Sequence, residues 1–213
     1  MKSLVKIAVV VAVLAVFVYL FLRTAQDARS QPYVVEQASL QGWTIAVEPD
    51  GGPSSPLIVA RPPQELSAGI FRQVFARMME SMRGSTEAAV PLVLRGEYEM
   101  SLAASFTPEE LAGMARSAGL DGGALEPSCV ALRRISQPGV TRQLYFIVFE
   151  SPAFARFREQ IGREVAATPA AVPFDPASLA PVMIVAASDT AFDSWLPIGA
   201  NAHADCVAPI EIQ

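Results

Sequence analysis

CVALRRISQPGVTRQLYFIVF, residues 129–149, predicts the hairpin around which the rest of the fold is arranged. Residues 129–135 and 141–149 are rich in β-branched and aromatic side chains, which favour extended strands. Between them stands SQPG, residues 136–139, a sequence typical of a tight turn. The two runs are therefore expected to pair as neighbouring antiparallel strands.

Alternating or wholly apolar runs predict further strands on both sides of this hairpin. Two of these runs flank PDGGPSSP, a segment dense in turn residues, and are expected to form a second hairpin. The further predicted strands are Trp43–Glu48, Leu57–Ala60, Pro91–Arg95, Glu97–Phe106, Val182–Ala187 and Cys206–Ile212. Glu97 and Glu99 are then expected on one solvated face, because side chains alternate sides along a strand.

Three other segments have apolar side chains at every third or fourth position, the spacing of an amphipathic helix. Proline, glycine and capping residues mark their ends, as in the capping box Thr107–Glu110 and the start at Ser151-Pro152. The three helices are predicted at residues 64–83, 107–120 and 152–167.

These elements predict an α+β fold, in which one two-layer domain combines a mixed or antiparallel sheet with about three helices. The domain is expected to span residues 42–213, after a polar linker at residues 23–41. A division into two smaller halves near Asp121 is the alternative. Four strand–helix units follow one another at irregular intervals, which is typical of an ordinary α+β domain and also compatible with an internal duplication.

The N-terminal run LVKIAVVVAVLAVFVYLFL, Leu4–Leu22, predicts a membrane span. As a helix, its 19 residues match a hydrocarbon core of roughly 30 Å. We therefore predict a transmembrane signal-anchor within residues 1–22, embedded in the lipid bilayer. The residues expected to contact lipid are Ile7, Val11, Phe17, Tyr19 and Leu22.

The charges around this run predict its orientation. Lys2 and Lys6 precede most of the apolar residues and favour a cytoplasmic N-terminus, with the C-terminal domain in the periplasm of a bacterial inner membrane. A cleavable signal peptide is the alternative. The run is longer than the roughly 15 residues that such a peptide uses, and no Ala-x-Ala site follows it, so an uncleaved single-pass anchor is favoured.

The rest of the chain is acidic. Both lysines stand in the first six residues, so residues 23–213 contain 14 arginines and 21 acidic residues, a net charge of −7. This balance argues against nucleic-acid binding, which needs a basic surface, and against docking on an anionic membrane surface. No glycine-rich nucleotide loop and no C-x-x-C pair occurs in the sequence, and no cofactor is expected. The lysine-free, arginine- and alanine-rich composition favours a GC-rich bacterial genome.

Cys129 and Cys206 are the two cysteines of the chain. In an oxidising compartment, such a distant pair is most simply one disulfide, which here joins the first hairpin to the last strand. The alternatives are a reactive thiol or a metal site with His203 and Asp205. Spacing unlike that of a zinc finger and the small number of nitrogen and sulfur ligands argue against a metal.

His203 is the only histidine and stands in the polar cluster NAHADC, residues 201–206. A membrane-tethered hydrolase or small-ligand-binding enzyme would use His203 with Asp205 and Ser194. No G-x-S-x-G nucleophile elbow occurs anywhere in the sequence, so a surface loop beside the disulfide is the simpler interpretation.

DSWLPIG, residues 193–199, contains an aromatic side chain followed by two aliphatic ones. Trp195, Leu196 and Ile198 are expected either to bind another protein or to pack into the core of their own domain. The function expected from the sequence is a non-catalytic accessory subunit of a membrane-associated complex, whose partner is another membrane or periplasmic protein. The enzyme that uses His203 is the alternative.

Overall fold

The fold is that of a computed structural model, and the residues it describes are 11, 13–21, 23, 31–77, 81–85, 88–169, 172–199 and 201–213. Among the predicted lipid-facing residues, Val11, Phe17 and Tyr19 are helical and exposed, whereas Ile7 and Leu22 lie outside the described residues. No helix within the described part of the chain is both long and apolar enough to cross a membrane.

Nine strands lie within the described residues and form two sheets. In chain order they are β1 (Tyr33–Val35), β2 (Thr44–Val47), β3 (Pro56–Arg61), β4 (Arg83–Gly84), β5 (Val90–Leu94), β6 (Glu126–Gln137), β7 (Val140–Glu150), β8 (Val182–Ala187) and β9 (Cys206–Ile212). The larger sheet has the order β1-β9-β6-β7-β8-β4, and the smaller sheet has the order β2-β3-β5. All neighbours are antiparallel except β1 and β9, so the larger sheet is mixed.

The predicted β6–β7 hairpin is confirmed and occupies the middle of the larger sheet. Its register pairs Gln137 with Val140, so the chain reverses through Pro138 and Gly139. Gly139 has a φ of 84°, a left-handed conformation that glycine adopts without the steric strain of a side chain. The turn chemistry and the apolar strands thus agree, which is why this part of the fold is readable from the sequence.

Four α-helices lie between residues 31 and 213 in the described part: α1 (Gln64–Arg77), α2 (Arg95–Glu97), α3 (Pro108–Ser117) and α4 (Pro152–Ala166). Helix α1 packs against β1 and β8 of the larger sheet, whereas α3 packs against β2 and β3 of the smaller sheet. Strands β5 and β8 are in contact where the two sheets meet. The α+β class and the three main helices are confirmed, but the strands form two sheets instead of one.

The folded domain begins before the predicted boundary at residue 42. Strand β1 lies within the predicted linker, pairs with β9, and buries Tyr33 and Val35. The N–H of Gln37 then donates to the carbonyl of Gln213 at 2.7 Å, which ties this segment to the C-terminal end of the chain. A strand of three residues is too short to show the alternation of apolar and polar side chains, so β1 cannot be predicted from the sequence pattern.

The strand predicted at residues 97–106 is wrong. Helix α2 continues as a π-helical turn over Tyr98–Leu102. Tyr98 and Leu102 are four residues apart, a spacing that fits one face of a helix as well as the alternation of a strand. Glu97 starts the helix by accepting a hydrogen bond from the N–H of Leu94 at 2.9 Å. The Glu97 side chain is only 14% exposed and so does not lie on a solvated face, whereas Glu99 is exposed.

Candidate functional site

An open apolar groove lies between the N-terminal end of α4 and residues 176–181, and we call it the α4 groove. It encloses about 520 Å³. Most of its lining side chains are apolar, including Phe149, Phe154, Ala155, Ala177, Leu179 and Pro181. Apolar concavities of this kind are typical of sites that bind a ligand or a partner segment.

One wall of the α4 groove is fixed by the way the helix begins. The Ser151 hydroxyl accepts a hydrogen bond from the N–H of Phe154 at 3.1 Å, and Pro152 occupies the first helical turn, where its missing N–H is not needed. The ring of Phe154 is thereby buried, while Ala155 and Glu159, one turn apart, remain exposed along the groove.

The opposite wall is held by Arg158, whose side chain is completely buried. Its guanidinium donates to the carbonyl oxygens of Pro176 at 2.8 Å and Asp175 at 3.1 Å. It also donates to the carbonyl of Leu92 at 3.0 Å and to the Ser178 hydroxyl at 2.8 Å. A single side chain of α4 therefore fixes the backbone of the segment that faces it across the groove.

Glu97 supplies the negative charge that a buried guanidinium requires. Its carboxylate lies 2.6 Å from the Arg158 Nη2 and also accepts a hydrogen bond of 2.6 Å from the Ser178 hydroxyl. The ring of Phe174 covers the guanidinium, with 4.7 Å between the ring centroid and the Cζ. Each nitrogen of the guanidinium thus has at least one acceptor, so this wall is held by hydrogen bonds within the domain.

The rim of the α4 groove is acidic. Glu150 and Glu159 are exposed at its edge, and His203 is the other ionisable residue that lines it. Among the described residues, no arginine lines the groove. A segment that carries positive charge on either side of an apolar stretch would therefore complement both the floor and the rim.

The residues predicted for an enzyme have other partners. The Asp205 carboxylate lies 2.6 Å from the guanidinium of Arg133. The Ser194 hydroxyl donates to the carbonyl of Ala191 at 2.6 Å and accepts from Arg142 at 2.8 Å. His203 is exposed on the 3₁₀ turn Ala202–Asp205, and within the described part of the chain no hydrogen bond links it to Asp205 or Ser194. The three side chains are not assembled into a nucleophile–base pair.

The predicted partner-binding side chains lie inside the domain. Trp195, Leu196 and Ile198 are all buried, and Ile198 has no exposed surface. Arg142 covers the indole of Trp195, with its Cζ 4.5 Å from the ring centroid, and pairs with Asp189 at 2.7 Å. Little of these three side chains is left for a partner to contact.

Asp189 keeps its negative charge in this cluster. Burial alone would raise the pKa of Asp189, but hydrogen bonds from Arg142 and from the N–H of Ala191, the latter at 3.0 Å, outweigh it and lower the pKa. The Arg142–Asp189 ion pair therefore persists to a lower pH than an unperturbed aspartate would allow.

A second concavity, of about 250 Å³, lies where the two sheets meet. Arg61 pairs with Glu48 at 2.6 Å along its edge. The buried hydroxyl of Ser55 donates to Asp193 at 2.5 Å, which joins residues 138 positions apart in the chain. Four polar side chains of this cleft are therefore paired with one another.

Cys129 and Cys206 form the predicted disulfide, with Cα atoms 5.8 Å apart. Strands β6 and β9 are neighbours, so the bond joins the last strand to the central hairpin as the sequence predicts. A ring nitrogen of His203 and the two sulfurs all lie within 4.8 Å of one another. While the sulfurs are bonded to each other they are not thiolates, and this trio is not a metal site.

Comparison of the chain with known protein families, with curated proteins and with solved structures finds no significant match.

Arg158 and the α4 groove are the parts of the site that the sequence analysis missed. One signal was present: Arg158 stands four residues after Phe154 and three before Ile161, within the apolar stripe of α4. An arginine in such a stripe predicts a buried acidic partner. The pattern does not say that the partner is Glu97, which is 61 residues away.

Proposed function

We propose that this chain is a membrane-anchored, extracytoplasmic accessory domain that binds a partner protein in the α4 groove and catalyses no reaction. The occupant is a short apolar segment of the partner, flanked by arginine or lysine. The observation that carries the proposal is the combination of an apolar floor with two exposed rim carboxylates, those of Glu150 and Glu159. The buried area supplies affinity, and the rim charges select the partner and speed its association.

The hydrogen bonds that hold the walls of the α4 groove support the same proposal. Residues 174–178 are held by Arg158. Two residues further on, the N–H of Ala180 donates to the carbonyl of Ile198 at 2.7 Å. The N–H of Phe149 is likewise bonded at 2.9 Å to the carbonyl of Pro181. Walls that are already ordered lose little conformational entropy when a partner binds, so more of the contact energy appears as affinity.

The disulfide and the N-terminal sequence support the proposed location, outside the cytoplasm and attached to a membrane. A structural disulfide is typical of proteins outside the reducing cytoplasm. The run Leu4–Leu22 has the length and composition of a membrane anchor, and its described side chains are exposed. A hydrolase that uses His203, Asp205 and Ser194 has less support, because Arg133 and Arg142 engage two of the three side chains.

Reversing one rim charge tests the groove. In detergent micelles at low ionic strength, the full-length chain is expected to bind synthetic peptides whose apolar core is flanked by arginines. Glu159→Arg is expected to weaken this binding by about tenfold, because the variant places like charges against each other. Salt should reduce the difference, since both charges are exposed. Fluorescence anisotropy of labelled peptides measures the affinities.

Glu164→Arg is the matched control, because Glu164 is on the same helix, is exposed and does not line the groove. It should leave peptide affinity unchanged. Peptides with the same core and glutamate flanks should bind weakly to the unmodified protein. Equal effects of the two substitutions, or a preference for the glutamate-flanked peptides, would contradict the proposal.

Cell fractionation tests the anchor. The intact chain is expected to stay with the membrane after carbonate washing, and protease added from the periplasmic side should digest the domain. A variant with both Val13→Arg and Phe17→Arg should lose this retention, because each arginine in a membrane span costs about 3 kcal/mol. A mature soluble form that begins after Arg23 would show instead that the run is a cleaved signal peptide.

A further inference from the structure

The proposed function assigns no ligand to the donor atoms around the disulfide, although one of the three residues, His203, also lines the α4 groove. Cys129, Cys206 and His203 bring two sulfurs and one ring nitrogen within 4.8 Å of one another. Cys129 is buried, whereas Cys206 and His203 are exposed. The three side chains thus lie at the surface of the domain, with Cys129 packed in the interior and the other two accessible to solvent.

The backbone holds these three residues together independently of the S–S bond. Strands β6 and β9 are paired between the two cysteines, in a register that aligns Cys129 with Pro209 and Ala131 with Cys206. His203 stands three residues before Cys206, on the 3₁₀ turn that leads into β9. In a 3₁₀ turn, residues three apart lie on the same side, so the H-x-x-C spacing directs both side chains to one place.

We propose that the reduced protein binds one Zn²⁺ ion through the thiolates of Cys129 and Cys206 and the imidazole of His203. Zinc is held by sulfur at about 2.3 Å and by histidine nitrogen at about 2.0 Å, so donor atoms around one ion lie roughly 3.5 Å apart. Opening the disulfide and modest side-chain rotation bring the three donors to that spacing. A fourth, solvent-facing position remains open for water.

The chemistry balances with a dithiol as reductant. The dithiol gives two electrons and two protons to the Cys129–Cys206 bond, which becomes two thiols while the dithiol becomes a disulfide. Zn²⁺ then displaces the two thiol protons to solvent and is bound by two thiolates and the neutral imidazole. The neighbouring Asp205 takes no part, because its carboxylate is paired with Arg133 at 2.6 Å.

Metal titration of the full-length chain in detergent tests the proposal. After reduction with a dithiol and its removal without oxygen, the protein is expected to bind one Zn²⁺ per chain. The oxidised protein should bind none. Co²⁺ used as a spectroscopic substitute should give thiolate charge-transfer bands and the absorption of a tetrahedral site. Since the ion binds the folded state, Zn²⁺ should also raise the unfolding temperature of the reduced protein and not of the oxidised protein.

His203→Ala is expected to lower the Zn²⁺ affinity of the reduced protein by at least about tenfold and to alter the Co²⁺ spectrum, because one of three ligands is lost. Asn201→Ala, a change in the same exposed loop without a donor in the trio, should leave both unchanged. Unchanged affinity in His203→Ala would overturn the proposal. So would equal binding by oxidised protein, or Zn²⁺ that neither stabilises nor refolds the reduced chain.

Discussion

Replacing Arg158 by methionine is expected to destabilise the domain by about 3–5 kcal/mol, the range found when one member of a buried ion pair is removed. Methionine fills much of the volume but leaves the Glu97 carboxylate without its counter-ion. The carbonyls of Leu92, Asp175 and Pro176 lose their donor as well. Urea denaturation followed by circular dichroism measures the change in the free energy of unfolding.

Arg156→Met is the control, because Arg156 is exposed two residues earlier on the same helix, and it should alter stability by less than about 0.5 kcal/mol. Equal losses in the two variants would show that the Arg158 network contributes nothing special. The double variant Glu97→Leu/Arg158→Met should be more stable than Arg158→Met alone, because it leaves no unpaired buried charge. The peptide affinity of the α4 groove should nevertheless fall in the double variant, since residues 174–178 lose their anchor.

The elements that the sequence predicts are those in which local signals agree. The β6–β7 hairpin has apolar strands and a proline–glycine turn. Helix α3 begins with a capping box: the Thr107 hydroxyl accepts from the N–H of Glu110, and the Glu110 carboxylate accepts from the N–H of Thr107. Each signal lies within a few residues and depends on no distant contact. Such elements form in the same way wherever the remainder of the chain lies.

The elements that the sequence misses depend on distant partners. Strand β1 forms because it pairs with the edge of β9. Tyr33 of β1 is aligned with Ile210 of β9, which is 177 residues away in the sequence. Residues 97–102 are helical because Glu97 turns inward to Arg158, and alternation alone does not distinguish this from a strand. Tertiary contacts therefore override local preference at both places.

The α4 groove was unpredictable for the same reason. Its lining comes from the end of β7, the start of α4, residues 176–181 and His203, which no sequence pattern brings together. The cysteine pair was predictable, because the chain has two cysteines and these have one possible pairing with each other. The position of His203 beside the two sulfurs was not predictable, because it depends on the 3₁₀ turn Ala202–Asp205.

Removing the disulfide is expected to lower the free energy of unfolding by about 4.5 kcal/mol, the chain-entropy value for two cysteines 77 positions apart in the sequence. The variant is Cys129→Ala/Cys206→Ala, measured by urea denaturation against the oxidised protein. Dithiol treatment should destabilise the unmodified protein by a similar amount and leave the double variant unchanged. A double variant as stable as the oxidised protein would contradict the prediction.

The loss should be uneven across the sheet. Strand β9 joins β1 to β6, and within the described part of the chain β9 is the only strand that pairs with β1. Gln73 of α1 also bonds the N–H and the carbonyl of Val34, but the attachment of β1 to the sheet depends on β9. The N–H of Gln213 bonds the carbonyl of Val35 at 2.9 Å, and this bond should be among the first to open. Hydrogen exchange in the double variant should therefore lose protection in β1 and β9 before β7 and β8. Uniform loss across all four strands would mean that the disulfide stabilises the sheet as a whole and not its edge.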